Sequence, residues 1–201
     1  MKVAIIDYGM GNLYSVRNTF ASLGVKADII ETPDLIFSYD KLILPGVGAF
    51  GDAMNELNRK GFTKAIKDFA AQGKPFLGIC LGMQLLLEKS SEAKGKKGLG
   101  IIEGEVLRFS SKLKCPHMGW NEIKKTEKNL KIFQGFKKDI YVYFCHSYYV
   151  KCRDKNMVGE TEYGIKFASM IKKGNVYGMQ FHPEKSQDTG LKLLENFIKF
   201  C

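Results

Sequence analysis

An α/β fold is predicted: a largely parallel, doubly wound sheet flanked by helices, followed by a strand-rich second half. Three observations predict it. Up to residue 90, short apolar runs alternate with amphipathic stretches at helical spacing. Turns containing Gly and Pro close several of these runs. Beyond residue 90 the pattern changes to runs rich in β-branched and aromatic residues.

Val3 to Ile6 is a buried strand that runs into the glycine turn Asp7-Tyr8-Gly9-Met10-Gly11-Asn12. A helix follows through Leu13, Val16, Phe20 and Leu23, closed by Gly24. Val25 to Ile30 is a second strand. Lys41 to Leu44 is a third, stopped by Pro45-Gly46-Val47-Gly48. A long amphipathic helix or a helix pair fills about 52–72, and Gly73-Lys74-Pro75 punctuates it. Pro75 to Ile79 is a fourth strand, with Leu81 to Lys89 as the helix after it. Ser90 to Gly100 is a Lys/Gly-rich loop. Strands are then expected at 101–102, 105–109, 140–144, 166–171 and 176–181. A C-terminal helix places Leu191, Leu194, Phe197 and Ile198 on its apolar face.

A chain of 201 residues fits one domain and can bury a full core. Hydrophobic residues at 45% and charged residues at 26% exclude collagen-like, disordered and coiled-coil classes. No apolar run approaches the roughly 20 residues of a membrane span. The opening Met1 to Asp7 is about one strand long and lacks a small-residue cleavage site, so no signal peptide is expected and the location is expected to be cytoplasmic. The net charge is +10, but the 31 basic residues include only four arginines (Arg17, Arg59, Arg108, Arg153). Base readout favours the planar arginine fork, so the lysines read as a solvated surface; neither a nucleic-acid nor a membrane partner is expected. The five cysteines are odd in number and form no CxxC pair, which argues against a disulfide framework or a zinc cluster. No metal and no cofactor are expected.

The sharpest local feature is Gly78-Ile79-Cys80-Leu81-Gly82, between a predicted strand and a predicted helix. A nucleophile elbow requires this setting, because side chains two residues either side of the nucleophile would crowd the turn. A helix N-terminus behind the thiol favours the thiolate. Alone, the pentapeptide fits equally well a structural cysteine packed between glycines. Gln180-Phe181-His182-Pro183-Glu184 also ends a predicted strand. On extended backbone His182 and Glu184 share a side, so the imidazole can take a thiol proton while the carboxylate orients the ring. Pro45-Gly46-Val47-Gly48-Ala49-Phe50 follows another parallel strand. It could turn backbone N–H groups toward an oxyanion, but alone it reads as a plain strand-to-helix turn.

Together these motifs resemble the class I triad glutamine amidotransferases, with Cys in GxCxG and HPE after the last catalytic strand. More closely, the chain is similar, end to end, to the family of glutaminase subunits of imidazole glycerol phosphate synthases. The residues that carry this are Asp7 to Leu13 with Ser15-Val16, Pro45-Gly46-Val47-Gly48, Pro116-His117-Met118-Gly119-Trp120-Asn121, His146-Ser147-Tyr148-Tyr149 and Gly178 to Ser186. All three histidines fall inside these motifs.

The resemblance implies a flavodoxin-like, open mixed sheet, largely parallel and twisted, with an added antiparallel β segment, in a single amidotransferase domain over 1–201. It implies Cys80 as nucleophile, His182 as base and Glu184 as orienting acid. Val47, Gly48 and Leu81 would surround the oxyanion and the glutamine side chain. Gln84, Glu92 and the Ser147-Tyr148 pair would hold the substrate. Glu92 suits the α-ammonium, and Gln84, one helical turn after Cys80, can face the same pocket. The implied reaction is hydrolysis of L-glutamine through a glutamyl thioester. The ammonia would pass to a (β/α)8-barrel cyclase subunit in a heterodimer, which makes imidazole glycerol phosphate and aminoimidazole carboxamide ribotide in histidine biosynthesis. Asn12, Trp120 and Lys185 match positions at that interface, and a loop setting for His117 to Asn121 would suit Trp120 for contact. Glycines at 46 and 48 would let the Val47 loop switch its backbone when the partner binds.

Cys145 and Cys115 depart from the family pattern. Cys145 reads as a small buried hydrophobe. A paralogous glutaminase feeding a sugar amidotransferase of surface-glycan synthesis would carry the same triad. A degenerate, non-catalytic relative would not keep Cys80, His182, Glu184 and Gln84 together. A cysteine peptidase of related fold would lack Gln84 and the Ser147-Tyr148 pair.

Overall fold

Wholly apolar four-residue strands can be satisfied only by a sheet covered on both faces. In the computed structural model, which describes residues 1–127, 129–137 and 139–201, β1 (Val3–Ile6) and β4 (Phe76–Ile79) are buried at every position. The period of two divides each strand between two cores. Ala4 and Ile6 join one core with Phe50, Leu57 and Phe69, from α2 (Phe50–Arg59) and α3 (Phe62–Ala71). Val3 and Ile5 join the other with Val16 and Phe20 of α1 (Leu13–Ser22) and Leu194 and Phe197 of α5 (Gln187–Phe200).

β2 (Ala27–Ile30), β1, β3 (Lys41–Leu44), β4 and β12 (Val176–Met179) lie side by side in that order, each parallel to its neighbour. The sheet then turns antiparallel. β11 (Lys166–Lys173), β10 (Met157–Glu162), β7 (His117–Lys125) and β8 (Ile140–His146) follow β12 in space. A short branch of β9 (Tyr148–Cys152), β6 (Gly104–Arg108) and β5 (Lys89–Ser90) leaves β11. The open, mixed, largely parallel core with an antiparallel addition matches the sequence reading. The buried Lys41 is the exception to an otherwise apolar β3. Its ammonium donates to the carbonyls of Phe197 and Cys201 at the end of α5, where helix carbonyls lack intrahelical donors.

The 52–72 stretch is a helix pair, one of the two arrangements expected, broken at Lys60-Gly61. Several other predicted elements differ. The helix expected to reach Lys89 is only α4 (Leu81–Leu85). It stops because the N–H groups of Leu99, Gly100, Ile101 and Ile102 bond the carbonyls of Leu85, Leu86 and Leu87. The same bonds keep residues 101–102 out of any strand. The His117 to Asn121 motif is not a loop: it opens β7, paired with β8 from His117↔His146 to Ile123↔Ile140. Strands β7, β9 and β10 went unpredicted because their buried and exposed residues do not alternate cleanly along the chain. On α5, Leu193 rather than Leu191 is buried beside Leu194 and Phe197.

Candidate active site

The carboxyl ends of β3, β4 and β12 converge on one cleft, the position expected for ligands of open α/β sheets. Cys80 stands at the turn from β4 to α4, with φ 53° and ψ −110°, outside the conformations that L residues ordinarily adopt. Two close approaches permit that turn. A Cβ on Gly78 would lie 2.6 Å from the Gly82 carbonyl oxygen, and one on Gly82 would lie 1.8 Å from that of Leu44. The glycines on either side of Cys80 are therefore required by backbone contact, as the elbow reading predicts. Cys80 N–H donates to the Met179 carbonyl at 2.7 Å, which ties the elbow to the end of β12.

His182 leaves β12 three residues after its last strand residue and is anchored from both sides. Its N–H donates to the Tyr143 carbonyl at 3.0 Å, and its own carbonyl accepts from Ser186 Oγ at 2.7 Å. Ser186 Oγ also accepts from Tyr143 N–H at 2.9 Å, so one buried hydroxyl joins β8 to the His-Pro-Glu turn. His182 Nδ1 lies 2.8 Å from Glu184 Oε1. The pairing arises differently from the sequence argument: Pro183–Lys185 is a 3-10 turn rather than extended backbone. The two side chains are 8% and 3% exposed, which shields their attraction from water. Burial disfavours the His182 cation, but hydrogen bonding and charge from Cys80 and Glu184 outweigh it and push its pKa up to about 10.

The cleft has a volume of about 370 Å³, within the usual range for small-molecule sites. Cys80, Leu81, Val47, Gly48, Gln84, Glu92, Ser147, Tyr148, His182 and Lys185 all line it; Glu184 stands behind His182. Gln84 is buried, and its Nε2 donates to the Tyr148 carbonyl at 3.2 Å and to Gln180 Oε1 at 3.1 Å. Glu92 Oε2 accepts from Phe50 N–H at 2.8 Å, capping α2 where Ala49 has no side-chain cap to offer. Among the described residues, the N–H groups of Val47 and Gly48 donate no hydrogen bond. Gly48 has a left-handed φ of 98°. Gly46 does not: its Cβ position lies 2.6 Å from the buried Tyr8 hydroxyl, so close packing explains this glycine.

Asn12 and Trp120 lie outside the cleft. Asn12 is exposed and caps α1 by accepting from Ser15 N–H at 3.3 Å. Trp120 is 47% exposed on β7, opposite Tyr143 of β8. Lys185 is exposed at the cleft rim. Sequence reasoning missed three wall residues: Pro116, Cys145 and His146. Cys145 is therefore a half-buried cleft residue rather than a core hydrophobe. It also missed Gln180, fully buried with Nε2 3.8 Å from Cys80 Sγ. A glutamine at the apolar end of a buried strand was the available signal. Among the described residues no cluster of three or more His, Cys, Asp or Glu is placed to hold a metal ion.

Comparison with known proteins gives the family and the fold. Residues 4–200 match the family model described as glutamine amidotransferase class-I. The imidazole glycerol phosphate synthase subunit HisH of Sulfurimonas denitrificans is 52% identical over 98% of this chain and 98% of its own length. Subunit HisH 1 of Campylobacter jejuni strain RM1221 is 48% identical over 98% of this chain and 99% of its own. The solved structure of PurLQS from Thermotoga maritima superposes with a TM-score of 0.80 at 21% identity, covering 99% of this chain and 98% of that one, and shares the fold. The chain belongs to the class-I glutamine amidotransferase family.

Proposed function

We propose that the chain, as one domain over 1–201, is the glutaminase subunit of an imidazole glycerol phosphate synthase. One observation carries the chemistry: a single cleft gathers Cys80, a His182 backed by Glu184, and the polar side chains of Gln84 and Glu92. Relatives bearing the HisH name at 48–52% identity support the choice of acceptor reaction over the sugar-amidotransferase alternative.

Cys80 sulfur attacks the carboxamide carbon of glutamine and forms a C–S bond. The oxyanion that develops is stabilised by N–H groups from the Val47-Gly48 loop and Leu81. His182, held protonated, gives its proton to the departing amine as the C–N bond breaks, and ammonia leaves. A water then surrenders a proton to the neutral imidazole and attacks the thioester, giving glutamate and restoring Cys80. Glu184 keeps the ring oriented and stabilises its cation throughout. Glu92 receives the α-ammonium, while Gln84 and the Ser147-Tyr148 backbone hold the other polar ends. Asn12, Trp120 and Lys185 form the docking face for a (β/α)8-barrel cyclase, which takes up the ammonia. Partner docking turns the Val47 loop so that its N–H groups face the oxyanion.

The test mixes the chain with the cyclase of its organism and the ribotide substrate. Imidazole glycerol phosphate should form with glutamine. Cys80→Ala should lose that activity by at least about 1,000-fold, the scale expected for removing a nucleophile. Ammonium salts should restore turnover in the variant. A cyclase that works on ammonium salts but never on glutamine with the wild-type chain would overturn the assignment and point to the sugar-amidotransferase reading.

A further inference from the structure

The chemistry above uses only one of the three histidines. The other two form a buried, one-directional row beside the cleft. His146 Nδ1 lies 2.7 Å from the Tyr148 carbonyl oxygen. A carbonyl only accepts, so Nδ1 carries the proton and donates. In a neutral ring, Nε2 is then an acceptor, and it faces His117 Nδ1 at 3.0 Å. His117 therefore donates from Nδ1, which leaves its own Nε2 to accept from Asn121 Nδ2 at 3.3 Å. The Asn121 amide is itself held: Nδ2 donates to the Glu162 carbonyl at 2.9 Å, and Oδ1 accepts from Glu122 N–H at 2.8 Å. Both tautomers thus follow from fixed groups at the two ends of the row. Burial keeps the rings neutral, pushing His117 down to about 4 and His146 down to about 3. Phe144 and Tyr163 both stack on His117, with centroids 4.9 and 4.1 Å away.

The row ends on groups that face the reaction. The carbonyl held by His146 also accepts from Gln84 Nε2 at 3.2 Å. That nitrogen reaches Gln180 Oε1 at 3.1 Å, and Gln180 Nε2 reaches toward Cys80 Sγ at 3.8 Å. These bonds engage only the Nε2 of Gln84, so they set which end of its amide is left for a ligand. We propose that His117 and His146 are positioning residues for the glutamine site: they fix the Tyr148 carbonyl and, through it, the Gln84 amide and the Ser147-Tyr148 backbone. The inference rests on the glutaminase reading and deepens it. Neither ring moves a proton in the reaction.

Glutamine hydrolysis by the complex with the cyclase and ribotide tests it, comparing His146→Leu, His146→Gln and His146→Asn. An asparagine amide nitrogen can stand where Nδ1 stood, whereas a glutamine nitrogen can stand only for Nε2. His146→Leu and His146→Gln should raise KM for glutamine about tenfold, the scale of one buried hydrogen bond, with kcat changed less than about threefold. His146→Asn should recover most of that loss. Alkylation of Cys80 by iodoacetamide, followed by peptide mass, should stay within about threefold of wild type in all three, since Cys80 and its two triad partners are untouched. An unmoved KM, or an asparagine variant as impaired as the leucine one, overturns the inference. If the leucine variant does not fold, His117→Asn against His117→Gln reads the same split one link further along. An inert wild-type complex would instead sink the glutaminase reading, so the two failures are distinguishable.

Discussion

His182 follows a strand of the parallel part of the sheet, whereas His117 and His146 pair across the antiparallel β7–β8 ribbon. All three are buried. Burial alone would keep each ring neutral. In the antiparallel part it does so, because each ring hydrogen-bonds only neutral partners and the charge on His182 further disfavours a His146 cation. At the end of the parallel part, Cys80 and Glu184 flank the ring and reverse the outcome. Desolvation sets the default, and hydrogen bonding and charge from Cys80 and the buried Glu184 carboxylate are enough to invert it. The parallel strands place reactive groups at their carboxyl ends; the antiparallel strands supply a neutral wall that orients them.

The largest test of this contrast is steric. Gly82→Ala puts a methyl 1.8 Å from the Leu44 carbonyl, backbone against backbone. It should cost at least about 3 kcal/mol in urea unfolding, or prevent folding altogether. A near-native midpoint would mean that the elbow is looser than its geometry implies.

Acid comes next. The His117 and His146 pKa values lie below the unfolded value of about 6.5, so the unfolded chain binds more protons as pH falls. Their contribution is present above pH 6.5 and is lost as pH falls toward 4 and then 3. The slope should be at most about 1.4 kcal/mol per pH unit for each ring. Urea midpoints between pH 7 and 4, compared with a His117→Gln, His146→Gln double variant, would read it. A double variant with the same acid slope would refute the assignment.

For His182 the sign is opposite. Its pKa is raised, so its contribution is complete below about 6.5 and is lost as pH rises through about 10. Cys80→Ala removes one of the two groups that hold the proton. The His182 imidazole resonance, followed by NMR, should then titrate at least about one unit lower than in wild type. An unchanged titration would make Glu184 the sole cause.

The smallest expected effect lies in the antiparallel ribbon. Gly119 has φ 133° but nothing within 4 Å of its Cβ position. Gly119→Ala should cost about 1 kcal/mol, from backbone strain alone, in the same urea assay. A loss equal to that of Gly82→Ala would erase the steric difference between the two regions.

The same division governs what could be read from the chain. The parallel strands and Cys80 were legible because a strand buried on both faces must be apolar throughout, and because a tight elbow demands glycine two residues either side. Strand β7 was not legible. His-Met-Gly-Trp-Asn-Glu-Ile-Lys-Lys puts solvent-facing and core-facing residues in no clean alternation, and only its pairing with β8 makes it a strand. The early end of α4 was equally hidden. Leu86 and Leu87 continue the helical pattern, but the loop at residues 98–102 captures the carbonyls that a longer helix would use.

By itself, the amino-acid sequence determined the fold class, the elbow and the nearness of His182 to Glu184, because each depends on residue types close together in the chain; the rest of the cleft came from the family resemblance, which did not give Pro116, Cys145, His146 or Gln180. Tertiary structure alone decided that His146 reads the Tyr148 carbonyl, that Gln180 stands behind Cys80, that Glu92 caps α2, and that one imidazole is charged while two are neutral. These depend on which groups desolvation brings together across strands far apart in the chain, and hydrogen-bond partners and charge states follow from that neighbourhood rather than from residue type.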